Sequence, residues 1–107
     1  MNTQFKKGVL EMLVLLEIEH GDKYGYELVN NVGAVVDVNE GTIYPILRRL
    51  NVDFYVETYL QESKEGPPRK YYHITLKGEK YLKELSDDWK EFSESVNRFI
   101  KKVRKEK

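Results

Sequence analysis

The apolar positions of this chain change their spacing four times, and each spacing predicts a different element. From Phe5 through Val9, Leu10, Met12, Leu15 and Ile18 they fall on nearly every side of one helix, which predicts burial by more than its own small domain. Gly21-Asp22 then makes a turn, with Asp22 placed to cap a second helix carrying Tyr24, Leu28, Val29, Val32 and Val36. A third helix is predicted over Asn39 to Leu50, where Ile43, Ile46, Leu47 and Leu50 recur at helical spacing. Its first turn is capped by the Asn39 side-chain oxygen, and Glu40 complements the positive helix end. Val36-Asp-Val38, just before it, is too short to judge by pattern.

Period-two alternation follows. Tyr55 to Glu62 and Arg69 to Thr75 are rich in tyrosine and β-branched residues, with Ser-Lys-Glu-Gly-Pro-Pro between them, which predicts a β-hairpin with a rigid tip. Val56, Thr58 and Leu60 share a face with Tyr72 and Ile74, leaving Arg69, Tyr71 and His73 on the other. Finally Leu82, Leu85, Trp89, Phe92, Val96, Phe99 and Val103 alternate in steps of three and four, a heptad seam. The helix from about Leu76 to about Val103 is on the order of 40 Å long, more than so small a domain covers. Buried side chains of this size contribute roughly 1.5 to 3 kcal/mol each, so the seam calls for a partner helix. A homodimer using Leu85, Trp89, Phe92, Val96, Phe99 and Val103 supplies one, with the first helix of one chain against the last of the other.

The order helix, helix, helix, hairpin, helix defines a fold that is mainly α with a small β-hairpin (α+β). It divides into a winged helix-turn-helix over residues 1–75 and a C-terminal dimerisation helix over residues 76–107, joined in one compact unit. In that arrangement the third helix enters the major groove of DNA and the wing grips the neighbouring backbone, and a brief strand would lie at Val36-Asp-Val38. Thr42, Tyr44, Arg48 and Arg49 are left pointing outward from the third helix, and Lys64, Arg69 and Lys70 make the wing tip basic. Thr42 and Tyr44 have donors for phosphate or base edges, Arg48 has the fork that reads guanine, and the wing cations neutralise phosphate. Arg49 has an internal ion pair as its alternative. Gly41 and Pro45 were not selected for helix stability: one costs it and the other removes an amide donor. The competing view is an ordinary amphipathic helix with solvated arginines.

Five segments resemble the PadR-type transcriptional regulators in order and approximate spacing. They are Tyr24-Gly-Tyr-Glu-Leu28, Glu40-Gly-Thr-Ile-Tyr-Pro45, Arg49-Leu50, Gly66-Pro-Pro-Arg-Lys-Tyr-Tyr72 and Ile74-Thr-Leu-Lys-Gly78. The resemblance implies a repressor that dimerises through C-terminal helices and binds a pseudo-palindromic operator in double-stranded DNA, and the absence of cysteine and of a secretion signal makes a cytoplasmic location the expectation. The short chain is similar to the subgroup with a single such helix. Some members bind planar or phenolic effectors at the dimer interface. Here paired Trp89 side chains, with Asp88 and Phe92 beside them and Ser86 and Ser93 as small neighbours, would leave a gap for a small planar aromatic ligand. One departure stands out: where the family has a glycine between the reading helix and the wing, this chain reads Asn51-Val-Asp-Phe54, so Asn51 is expected to take the left-handed position.

Charge qualifies this picture. The 107 residues carry 18 basic and 18 acidic side chains, a formal net charge of zero, where a DNA-binding domain is ordinarily basic. The charges are segregated, with Glu84, Asp87, Asp88, Glu91 and Glu94 on the last helix and the cations around the reading surface. The neutral balance suits the rival reading, a winged helix used as a protein-interaction module without operator binding. An enzyme is not expected: there is no cysteine, His20 and His73 stand alone, and neither a nucleophile elbow nor a phosphate loop appears. No metal or cofactor site is expected either. No apolar run reaches the length of a membrane span, and no secretion signal is visible.

Overall fold

A computed structural model describes residues 3–106, with side chains from residue 7 onward, so the Phe5 side chain lies outside the described residues. The elements are α1 (Thr3–His20), β1 (Lys23–Tyr24), α2 (Gly25–Gly33), α3 (Glu40–Val52), β2 (Val56–Ser63), β3 (Gly66–Ile74) and α4 (Leu76–Lys105). The strands form one antiparallel sheet in the order β1-β3-β2. The fold is thus the α+β winged helix with a long C-terminal helix.

Helix α1 is the centre of the core. Leu10, Val14, Leu15 and Ile18 are buried, and α1 packs against α2, α3, β3 and α4 of its own chain. Its all-round apolar pattern therefore does not require the second molecule that the sequence suggested, because α4 returns along it; among the described residues Leu16 is the apolar side chain of α1 left exposed. The short strand lies at Lys23–Tyr24, before α2, and not at Val36–Val38. Tyr24 occupies the N-cap of α2, and its N–H donates to Glu27 Oε1 at 3.1 Å. Asp22 is thereby displaced from the capping role and serves the sheet instead.

Helix α3 buries Ile43, Ile46, Leu47 and Leu50 as the periodicity predicts. Asn39 is its N-cap through the backbone only: its carbonyl accepts from the N–H groups of Thr42 and Ile43, each at 3.1 Å, and its side chain makes no capping bond. At the other end the helix runs past Asn51 to Val52. The N–H of Tyr55 donates to Leu50 O at 2.9 Å and that of Phe54 to Asn51 O at 3.1 Å. This is the paired closure of a Schellman motif. Phe54, not Asn51, takes the left-handed conformation, with φ 63°.

The wing turns more tightly than the sequence suggested. Ser63 pairs with Gly66, so Lys64 and Glu65 alone make the turn, and both prolines lie inside β3. Gln61 pairs with Arg69, which leaves Pro67 and Pro68 opposite the single residue Glu62. A bulge absorbs them, and the amides they lack are not needed there.

Helix α4 starts where Thr75 Oγ1 accepts from the Gly78 N–H at 2.9 Å and donates to Phe54 O at 2.7 Å. A Cβ on Gly78 would stand 2.0 Å from Tyr55 O, so only glycine lets α4 lie this close to the junction. Tyr81 stacks on Tyr55, with ring centroids 4.2 Å apart, and its hydroxyl donates to the buried carboxylate of Glu11 on α1. Leu82 is buried in the same core, and Leu85 packs at its edge. From Trp89 onward α4 projects, giving a molecule of 60 × 27 × 21 Å. Among the described residues no helix is long and apolar enough to cross a membrane.

Candidate nucleic-acid interface

The exposed side of α3 has two flanks, because residues advance about 100° each around the axis. Tyr44, Arg48 and Asn51 follow one another on the flank that faces the wing, where with Leu47, Lys70 and Tyr72 they line a shallow recess. Thr42 and Arg49 lie on the opposite flank, both exposed. Between the flanks, Gly41 and Pro45 form the first part of the crest and carry almost no side chain that projects, while exposed Val52 ends it. Pro45 has no N–H for the Gly41 carbonyl, so backbone is bare where the helix stands farthest from the core.

Tyr44 is only half outward. Its ring packs against the start of α2, where a Cβ on Gly25 would lie 2.7 Å from its Cε1. The Tyr24-Gly-Tyr and Glu40-to-Pro45 segments are thus two sides of one contact. Burial pushes the Tyr44 phenol up from its ordinary pKa of 10.0, with Glu40 adding to it. The Tyr72 phenol is raised for the same first reason, helped by Tyr44 and opposed by Arg48. Both hydroxyls therefore remain proton donors at neutral pH.

The wing cations do not act as one group. Lys64 sits in the turn between Glu62 and Glu65, so the tip itself is not basic. Lys70 lies opposite Leu60 on the face that carries Tyr72, its Nζ 6.0 Å from that ring. Arg69 is on the other face, its guanidinium 4.6 Å from the ring centroid of Tyr24. There Tyr71 lies between Tyr24 and Tyr59, each pair of centroids 5.6 Å apart. Asp22 ties this face together, accepting from the Tyr59 hydroxyl at 2.7 Å and bonding His73 Nδ1 at 2.8 Å. The hydrogen bond from Tyr59 holds the Asp22 carboxyl below its usual pKa, with His73 contributing, and pushes the Tyr59 phenol up to about 12.

Of the residues singled out from sequence, the recess brings together Tyr44, Arg48 and Lys70 and leaves out Thr42, Arg49, Lys64 and Arg69. Among the described residues Arg49 forms no ion pair, so the internal pairing weighed for it is not made. Tyr72 and Asn51 were not foreseen at this surface. Tyr72 was assigned to the core by alternation, and it is 7% exposed, yet its edge reaches the recess. Along α4, Leu85 is half-buried, while Trp89, Phe92, Val96, Phe99 and Val103 are exposed, with Asp88 beside them.

An exposed helix with a basic flank, a two-residue-turn wing alongside and a capped long helix behind defines a winged-helix protein. The model of the transcriptional regulator PadR-like family matches residues 12–84. A PadR-like transcriptional regulator of Bacillus cereus is 41% identical in sequence, with a TM-score of 0.82 over 92% of this chain and 97% of that one. A Streptococcus mutans structure superposes with a TM-score of 0.84 at 34% identity, covering 89% of each chain. An uncharacterised protein of Lysinibacillus sphaericus is 34% identical over 98 residues, 88% of this chain and 90% of the relative. The chain belongs to the PadR-like family of DNA-binding transcriptional regulators.

Proposed function

We propose that this chain is a sequence-specific repressor that binds a pseudo-palindromic operator as a homodimer. The observation that carries the reading is the shared surface of α3 and the wing, where Arg48 and Lys70 converge beside Tyr44. Arg48 supplies the fork for base edges, Lys70 neutralises phosphate, and the bare Gly41-Pro45 crest admits the duplex closely. Thr42 and Arg49 contact the backbone on the far flank, and Lys64 and Arg69 add cations at the wing. Residues 1–75 are then the DNA-binding unit and residues 76–107 the dimerisation helix.

The exposed apolar stretch of α4 supports the dimer. Phe92 is 53% and Phe99 67% exposed in the single chain, and Val96 and Val103 extend the same seam. Two reading helices related by a two-fold axis would then meet half-sites about 34 Å apart. A small planar aromatic compound seated at Trp89, Asp88 and Phe92 between the paired helices would release the operator by changing the spacing of the two wings. The protein would act in the cytoplasm, where its DNA is.

Selection of bound fragments from a random duplex pool tests the reading. Recovery of an inverted repeat with half-sites one helical turn apart is the expected result. Recovery of no preferred sequence contradicts it and leaves the protein-interaction module, for which the exposed Val52, Phe54 and Leu76 offer an apolar surface.

A further inference from the structure

The recess between α3 and the wing has the chemistry of an oxyanion seat. Two cations, Arg48 and Lys70, border it, and Tyr44, Tyr72 and Asn51, which carry two phenols and an amide, complete its polar lining. Among the described residues the Arg48 guanidinium makes no hydrogen bond or ion pair, and neither tyrosine hydroxyl has a hydrogen-bond partner. No buried side-chain polar atom of the described residues is left unsatisfied, so the two unpartnered phenol oxygens are reached by solvent. Residues carrying four kinds of donor thus line one small concavity, with no carboxylate among them.

The rest of the fold keeps it that way. Gly25 makes room for the Tyr44 ring and its hydroxyl, since a Cβ there would stand 2.7 Å from Cε1 and 3.0 Å from the phenol oxygen, and this fixes the ring beside the recess. Tyr72 is held by burial and by strand pairing on both sides, to Thr58 of β2 and Lys23 of β1. A rigid donor loses little entropy on binding, and a hydrogen bond to a charged oxygen is stronger than one between neutral groups. Raised phenol pKa values keep both hydroxyls protonated, which is the form that donates.

We propose that this recess seats one backbone phosphate of each operator half-site, with Tyr72 as a positioning residue that locks the reading helix and the wing to the same phosphodiester. The inference rests on the DNA-binding reading above and sharpens it. Phosphate contacts fix register without carrying sequence. A single phosphate bound by both elements therefore sets the angle at which α3 enters the groove, and base discrimination by Arg48 depends on it.

Tyr72→Phe keeps the ring and removes only the hydroxyl, and Lys70→Ala removes the wing cation. The probe is the duplex selected from the random pool by the full-length wild-type protein, synthesised with one neutral methylphosphonate at each position in turn. Wild type should lose about ten-fold in affinity at one phosphate per half-site, the size of one lost hydrogen bond to a charged group. Tyr72→Phe and Lys70→Ala, each present in both protomers, should bind the unmodified duplex about ten-fold more weakly per half-site, about a hundred-fold for the dimer, and show little further loss at that same phosphate, while other positions behave as in wild type. Losses that multiply at every phosphate, or a Tyr72→Phe protein that binds like wild type, would overturn the seat and leave DNA binding intact. Failure to select any duplex would instead overturn the DNA-binding reading, and the seat with it.

Discussion

Phe54 shows how one side chain can run against the backbone it occupies. The closure of α3 places it at φ 63°, a conformation in which a Cβ costs about 1–2 kcal/mol, and its ring is 72% exposed and recovers little of that by packing. Phe54→Gly should therefore stabilise the protein by about 0.5–1 kcal/mol, after the larger unfolded-state entropy of glycine is counted; urea denaturation would read it as a higher midpoint with an unchanged slope. The sequence marked a missing glycine at this junction but placed the left-handed residue at Asn51. It could not show that Val52 completes the helix, because the deciding bond, Tyr55 N–H to Leu50 O, depends on where Thr75 and Gly78 hold the junction. Gly41 poses the opposite case. A Cβ there meets only Asn39 Oδ1, at 3.2 Å, the end of a side chain that can move. Gly41→Ala is expected to raise stability by about 0.5 kcal/mol while weakening DNA binding, since the crest no longer comes as close to the duplex. A gain in both properties would mean that the bare backbone has no role at the interface.

At the scale of elements, the wing was the most legible feature and its turn the least. Alternation assigned the faces of β2 and β3 correctly, since Val56 pairs with Ile74 and Thr58 with Tyr72. The two prolines suggested a loop, because neither can donate to a ladder; the bulge that lets them stay in β3 has no signature of its own. Strand β1 has two residues and is too short for any pattern, and with it went the role of Asp22. That residue clamps the outer face of the wing through Tyr59 and His73. Its carboxyl is held below the ordinary value of 3.8, so the folded state favours the charged form. The clamp's contribution is fully present above that value and is lost as pH falls through the lowered one. Denaturation midpoints should thus be insensitive to this group from neutrality down to about pH 5, then fall in acid. Asp22→Asn should lower stability at neutral pH and flatten the acid limb. An acid limb unchanged in that variant would remove the clamp from the account.

For the whole molecule, the heptad steps gave the length and face of α4, and Leu82 and Leu85 pack at home as their position near the domain suggested. What covers α1 was not legible, since a helix apolar on all sides does not say which chain buries it, and here α4 of the same chain does so. The seam beyond Trp89 is the part that the proposed dimer would bury. Phe99→Glu should weaken self-association on the order of a hundred-fold or more, as two exposed rings per dimer lose roughly 1.5–3 kcal/mol each, with the fold of the monomer intact because Phe99 lies outside the core. Sedimentation equilibrium reads this directly, and an unchanged association constant would place the interface elsewhere. The net charge of zero leaves DNA binding to a local surface rather than to the field of the whole protein. The measurement that bears most directly on that claim is the salt dependence of binding to the selected duplex, for wild type and for Arg48→Ala and Lys70→Ala. A steep slope, reduced by about two for each variant because a dimer loses two phosphate or groove cations, is the expected result. A flat slope in the wild type, or one that neither variant changes, would contradict the placement of the DNA interface at α3 and the wing.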